Sequence, residues 1–265
     1  MPQAAGLYYE THGAADAPAL IFSSGLGGTG SYWAPNLAPF AHHYRVIVYD
    51  HRGTGRSERA LPDTVRIQDL ADDMLKLMDA LAIQRAHIVG HALGGCAGLL
   101  VAIQAPERVG KLVVVNGWVR PEAHMARCFD ARLHILRSGG ERAWIAAQPI
   151  FLYPAAWDAE HGGRIDLEAE AQLASFQGVA NLEKRIAAIR AFDLGGDSND
   201  VMLNLGLPML ALAARDDVLV PWTESERMAS GAHQVTVELM QTGGHACNVA
   251  EPAEFNRIVL QWLSR

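Results

Sequence analysis

The sequence predicts an α/β protein: a mostly parallel, doubly wound sheet with a helical cap inserted between two of its strands. Three observations predict it. Short runs such as ALIFSS, RVIVYD and KLVVVN are apolar nearly throughout instead of alternating, so each strand is buried on both faces, as in a parallel sheet covered by helices. Helical patterns alternate with these runs. One long stretch, residues 119–199, then breaks the alternation with helical patterns and no convincing strand.

Taken in chain order, residues 19–24 form a strand that ends in the glycine-rich turn GLGGTG, and residues 45–50 form a second that ends in HRGTGRS. Residues 67–81 carry apolar side chains at 67, 70, 71, 74, 75, 77 and 78, close to a 3.6-residue period and hence an amphipathic helix. A strand at 86–90, a helix at 93–104 and strands at 111–116, 209–214 and 234–240 follow, and a helix at 252–263 closes the pattern. Residues 1–118 and 200–265 therefore make the core and 119–199 the cap, with helices expected at 127–137, 142–148, 167–176 and 182–192. Gly139–Gly140 and Gly195–Gly196 fall near helix ends, where turns and C-caps are the plain reading and hinges the alternative. A length of 265 residues suits one large domain.

Composition narrows the function classes. Half of the residues are hydrophobic and 19% charged, which excludes a disordered chain. Twenty-two Lys and Arg against 29 Asp and Glu give a net charge of −7. Such a surface repels phosphate backbones, so no nucleic-acid partner is expected. The longest strongly apolar stretch, 92–103, falls far short of the roughly 20 residues that span a bilayer. The opening MPQAAGLYYETHG lacks the basic-then-apolar order of a signal peptide. Cys96, Cys128 and Cys247 are widely spaced and read as reduced thiols of a cytoplasmic protein, with no metal and no cofactor.

In a parallel sheet ligands bind beyond the carboxyl ends of the strands, and the chemistry is read there. A strand runs directly into Gly90-His91-Ala92-Leu93-Gly94 and then into a helix. This is the frame of a nucleophile elbow, G-x-S-x-G, with alanine at the centre. Ala92 offers neither nucleophile nor proton. Downstream, Asp217 follows a strand end four residues before Pro221, with Asp216 as its competitor, and Gly243-Gly244-His245 precedes the last helix. Elbow, acid and histidine stand in the chain order of the hydrolase frame. The backbone amides of Leu26, in the first glycine-rich turn, and Leu93, after the elbow centre, are the expected oxyanion hole. Gly27 and Gly28 are expected to let that backbone approach closely. Ser24 reads as a polar group lining the pocket, Asn116 and Trp118 as pocket residues at a strand end, and Cys247 as a packing residue. Asp50 and Arg52 read as a structural pair, and Trp144, Phe151, Tyr153 and Phe176 as the core of the cap.

DHRGTGRS, the broken elbow, the D-x-x-x-P acid and GGHACNVAEP together resemble the α/β-hydrolase superfamily over essentially the whole chain. SGLGGTGSYW, GHALGG, VNGW, AQPIFLYP, FQG and GGHACNV resemble more narrowly the RutD family of hydrolase-like proteins of pyrimidine utilisation, in which the elbow alanine is native. That resemblance implies the α/β-hydrolase fold. It also implies hydrolysis of carbamate during uracil breakdown, with aminoacrylate as the alternative substrate and other enzymes of the pathway as potential partners. Without a serine the acyl-enzyme route is closed. An imidazole oriented by a carboxylate and two backbone donors would remain, enough to hold an anion and move a proton. Two rivals stand beside this reading: a non-catalytic small-molecule binder on a hydrolase frame, and a serine hydrolase disabled at Ala92.

Overall fold

A computed structural model of the chain describes residues 2–195, 202, 204–230 and 232–265. Eight strands form one sheet in the order β1-β2-β4-β3-β5-β6-β7-β8. They are β1 (Gln3–Ala4), β2 (Leu7–His12), β3 (Ala19–Ser23), β4 (Arg45–Tyr49), β5 (Ala86–His91), β6 (Val109–Val115), β7 (Met209–Ala214) and β8 (Val235–Met240). From β4 to β8 every pairing is parallel, with Ile21 between Ile47 and Ile88 and Val113 between Val89 and Leu210. The six strands expected from apolar runs are all present, with ends displaced by at most two residues and the strand at 209–214 coinciding with its expected bounds. The antiparallel pair β1 and β2 at the sheet's edge is an addition. The β2 residues LYYETH bury only Leu7 and Tyr8, so this strand, second from the edge, lacks the apolar run that marks its neighbours.

Alternate residues of the central strands enter two different cores, as the period of two requires. Ile21, Ile47, Ile88, Leu112 and Val114 pack with helices α2 (Ile67–Ala80) and α3 (Leu93–Gln104) on one face. Leu20, Phe22, Val48, Val89 and Val113 pack on the other face with Phe40 of α1 (Ala34–Ala41) and with Phe255 and Trp262 of the C-terminal helix Pro252–Leu263. Helix α2 forms because its apolar stripe, from Ile67 through Leu70, Met74 and Leu77, faces the sheet. Its start is held by the Asp69 carboxylate, which accepts from the Arg66 amide at 2.7 Å.

Between β6 and β7 the described residues hold only helices: α4 (Ala123–Leu152), α5 (Ala155–Ala174) and α6 (Val179–Ala191). The helices expected at 127–137 and 142–148 are two arms of α4, which kinks at Gly140 with φ 72°. Gly140 is thus a kink inside a helical segment. Gly195 is left-handed, and Gly196 lies outside the described residues, as do residues 197–200, across which the cap was expected to hand over to the core. Helix α5 begins twelve residues earlier than 167 and runs through Gly162 and Gly163. Helices α7 (Thr223–Ala229), α8 (Cys247–Ala250) and α9 (Pro252–Leu263) complete the chain. No described helix is long and apolar enough to cross a membrane.

Candidate active site

Strand β5 and helix α3 meet at Ala92, whose backbone is forced to φ 47° and ψ −114°. A non-glycine residue holds such a conformation only where its surroundings enforce it. Here the Ala92 amide donates to the Val115 carbonyl at 2.8 Å, and its own carbonyl caps the Cys96 amide at 3.0 Å. The flanking glycines are steric necessities: a Cβ on Gly90 would lie 2.4 Å from the Gly94 oxygen, and one on Gly94 would lie 2.4 Å from the carbonyl oxygens of Ser23 and Ser24. The result points a methyl group, 5% exposed, to the position where this frame elsewhere carries a nucleophile.

His245 and Asp217 meet. The imidazole Nδ1–H donates to Asp217 Oδ2 at 2.8 Å, and the other carboxylate oxygen accepts from the Leu219 and Val220 amides at 2.7 and 3.0 Å. Nε2 is therefore the nitrogen left for chemistry. Asp216, the competitor, braces the loop that carries the histidine. Its carboxylate accepts from Thr242 Oγ1 at 2.7 Å and from the Gly244 amide at 2.9 Å. That loop is clamped from below as well. The His245 carbonyl accepts at 2.7 Å from both Asn116 Nδ2 and His91 Nε2. Asn116 also accepts from the Ala214 amide at 3.2 Å. The expectation that Asn116 lines the pocket is thus corrected: its side chain is engaged by backbone beneath the site. A buried polar group after a strand can serve the chain as readily as a ligand.

The turn after β3 brings Leu26 to the elbow. Leu93 opens α3, so no carbonyl one turn earlier claims its amide. Close approach rests on Gly25, where a Cβ would lie 2.8 Å from His91 Nδ1. Gly27 has open space around it, against expectation. The cap reaches this turn through Arg185 of α6, which is buried and donates to the carbonyls of Gly25 and Leu26 at 3.4 and 3.2 Å and to His51 Nδ1 at 3.0 Å. His51 passes the contact on to Ser23 Oγ at 3.2 Å. Burial, with the Arg185 charge adding to it, holds the His51 imidazole well below its ordinary pKa, hence neutral. Asp50 and Arg52 are structural but do not pair: Asp50 binds Arg56, and Arg52 binds Asp73 and Glu58.

Ala92, Leu26, Leu93, His245, Ser24 and Trp118 all line one cavity of about 500 Å³ between sheet and cap. Ser24 Oγ and Trp118 Nε1 are buried without a partner. Cys247 is buried and not among the lining residues, with its thiol pushed up to about 12 mainly by burial, which disqualifies it as a nucleophile. Trp144, Tyr153 and Phe176, expected only as cap core, line the cavity, and Phe151 does not. Sequence reading missed four lining or positioning groups: His91, Tyr32, Arg132 and Arg185. The His91 ring packs at a tilt against Tyr32, 4.9 Å between centroids, and against His245, 4.7 Å, and burial keeps its pKa well below the ordinary value. For the two arginines a signal existed. Arg132 sits on the apolar stripe Met125, Phe129, Leu133, Leu136, and Arg185 on the stripe Leu182, Ile186, Ile189.

Fold and site together define an α/β-hydrolase whose acid and histidine are in place and whose nucleophile position is empty of chemistry. A family model described as alpha/beta hydrolase fold matches residues 18–252. A protein of Variovorax paradoxus named "Putative carbamate hydrolase RutD" is 51% identical over 98% of this chain and 96% of its own length. One of the same name from Rhizobium rhizogenes is 45% identical over 97% of both. The chain belongs to the RutD family of α/β-hydrolase-fold proteins. Among solved structures it is similar to a hydrolase from Pseudomonas aeruginosa, with TM-score 0.86 and 27% identity over 98% of this chain and 94% of that one. The fold is likewise that of an enol-lactonase from Burkholderia xenovorans, TM-score 0.87 at 24% identity over 98% and 96% of the two chains.

Proposed function

We propose that this protein hydrolyses carbamate to ammonia and carbon dioxide without a covalent intermediate. The observation that carries the reading is the intact His245–Asp217 pair, hydrogen-bonded at 2.8 Å, beside an elbow that ends in a methyl group. A frame kept for binding alone has no use for an oriented imidazole. Carbamate is an amino group bonded directly to a carboxylate, and it breaks once its nitrogen is protonated. The amides of Leu26 and Leu93 hold one carboxylate oxygen. His245 Nε2 gives its proton to the nitrogen, and the imidazole loses the charge that Asp217 had stabilised. The C–N bond then breaks, its electron pair leaving with nitrogen as ammonia, and the carboxylate leaves as carbon dioxide. His245 regains a proton from water. The RutD name of the relatives supports this choice of substrate.

Aminoacrylate is the second reading, and one observation favours it: a cavity of about 500 Å³ has room for far more than carbamate. In that case His245 protonates the enamine carbon, water adds at the carbon bearing nitrogen, and the C–N bond of the resulting carbinolamine breaks to release ammonia and leave a carbonyl. Ammonia release from fresh carbamate by the pure protein, followed against the spontaneous rate, tests the first reading, and a parallel aminoacrylate assay tests the second. Acceleration of carbamate breakdown is expected. A rate equal to the spontaneous one overturns the carbamate reading, and acceleration of aminoacrylate alone moves the assignment to the second substrate.

A further inference from the structure

The proposed carbamate step uses two backbone amides as its anion cradle and leaves unused the charged side chains that line the cavity, of which Arg164 and Glu168 pair with each other at 2.7 Å and Arg132 has no carboxylate partner among the described residues. Arg132 of α4 lines the cavity on the cap side and is only 3% exposed. Its guanidinium lies over three aromatic rings, 5.1 Å from the Phe129 centroid, 4.8 Å from Trp144 and 5.4 Å from Phe151. One nitrogen, Nη2, donates to Gln148 Oε1, and Nε, buried, has no partner. Among the described residues no carboxylate pairs with it, whereas Arg137, Arg142, Arg164 and Arg190 elsewhere in the cap each pair with one.

An unpaired buried charge is costly. The aromatic faces recover part of that cost, but they satisfy none of the in-plane N–H donors. A guanidinium presents five donors in a planar fork that matches a carboxylate. What completes Arg132 must come through the cavity, and it must be anionic and planar.

We infer that Arg132, with Gln148 beside it and the rings of Phe129 and Trp144 around it, forms a carboxylate-binding subsite in the cap wall, separate from the oxyanion amides, for small organic acids whose carboxylate is not the reacting group. Such an acid places its carboxylate against the cap and its other end toward the floor formed by Ala92 and His245. The subsite extends the range of ligands beyond carbamate and does not depend on carbamate turnover. A protein that binds acids here and leaves carbamate untouched sustains this inference while refuting the preceding one.

The test is a titration of the full-length protein with sodium propanoate and, separately, with the isosteric propanamide. The arginine Nε–H resonances are followed by nuclear magnetic resonance, with the Arg132 signal identified by its loss in Arg132→Lys. The expected result is propanoate binding at least tenfold tighter than propanamide, with displacement of the Arg132 Nε–H signal by propanoate. Arg132→Met should lose the preference for the acid, and Arg132→Lys should keep part of it. Equal binding of acid and amide, or an Arg132→Met protein that still prefers the acid, overturns the subsite. If Arg132→Met fails to fold, the wild-type titration decides alone: an Arg132 signal that propanoate leaves unmoved overturns it.

Discussion

A single methyl group sets the chemistry of this site. Ala92 adopts a left-handed φ of 47°, so the strain of an elbow is kept although no nucleophile uses it. Ala92→Ser, which fits the same backbone, is therefore predicted to give no more than about a twofold gain in ammonia release from carbamate. Protonation of nitrogen has no need for a hydroxyl, and the added oxygen occupies space next to the substrate. A gain of tenfold or more would point instead to a serine hydrolase disabled at this position. Much of the site could be read from residues alone. Elbow, acid and histidine occupy fixed places after successive strands, and the proline four residues after Asp217 separated it from Asp216. Asn116 could not be placed, because a buried amide that holds the His245 carbonyl at 2.7 Å looks in sequence like one that faces a ligand. His91 was hidden for a related reason: its role depends on Tyr32 and His245, which reach it from distant parts of the chain.

Individual elements hold these residues in register. Strands β3 to β7 were legible because burial on both faces leaves a run of apolar residues. Strand β2, second from the sheet's edge, and the N-terminal part of the mostly exposed helix α5 leave no such trace. Helix α6 matters most for function, since Arg185 ties it to the turn that presents Leu26 and to His51. Arg185→Met would remove donors from two carbonyls and one imidazole, and loss of such buried bonds costs about 1–3 kcal/mol each at most. We predict a rise in KM for carbamate of about tenfold with kcat changed less, because the variant loosens the turn whose Leu26 amide holds the substrate carboxylate while His245 stays in place. A lower melting temperature with unchanged KM and kcat would make Arg185 a structural tie only.

For the molecule as a whole, the arrangement is costly in acid. His51 and His91 are fully buried and kept neutral, chiefly by burial and secondarily by the positive charge of Arg185 on His51 and of His245 on His91. Their folded pKa values lie below the unfolded one. The unfolded chain thus takes up protons that the folded chain refuses, and stability is whole above the ordinary imidazole value of 6.5 and falls as the pH drops below it. Each group contributes a slope of up to about 1.4 kcal/mol per pH unit there. Glu224, raised mainly by burial, acts with the opposite sign but is one group against two. Urea unfolding at pH 7.5 and 5.5 should show a clear loss of stability at the lower pH, and equal midpoints would contradict it. At this scale sequence reading placed the cap but not its inner wall. Whether an aromatic residue such as Trp144 or Tyr153 fills a core or faces a cavity depends on how three helices close over the sheet.

The proposed carbamate reaction depends on His245 supplying the proton that breaks the substrate. Ammonia release from fresh carbamate, measured for the wild type and for His245→Ala against the spontaneous reaction, is the decisive comparison. Acceleration by the wild type is expected, with a rate for His245→Ala at or near the spontaneous one. A His245→Ala protein as fast as the wild type would refute the role of the imidazole.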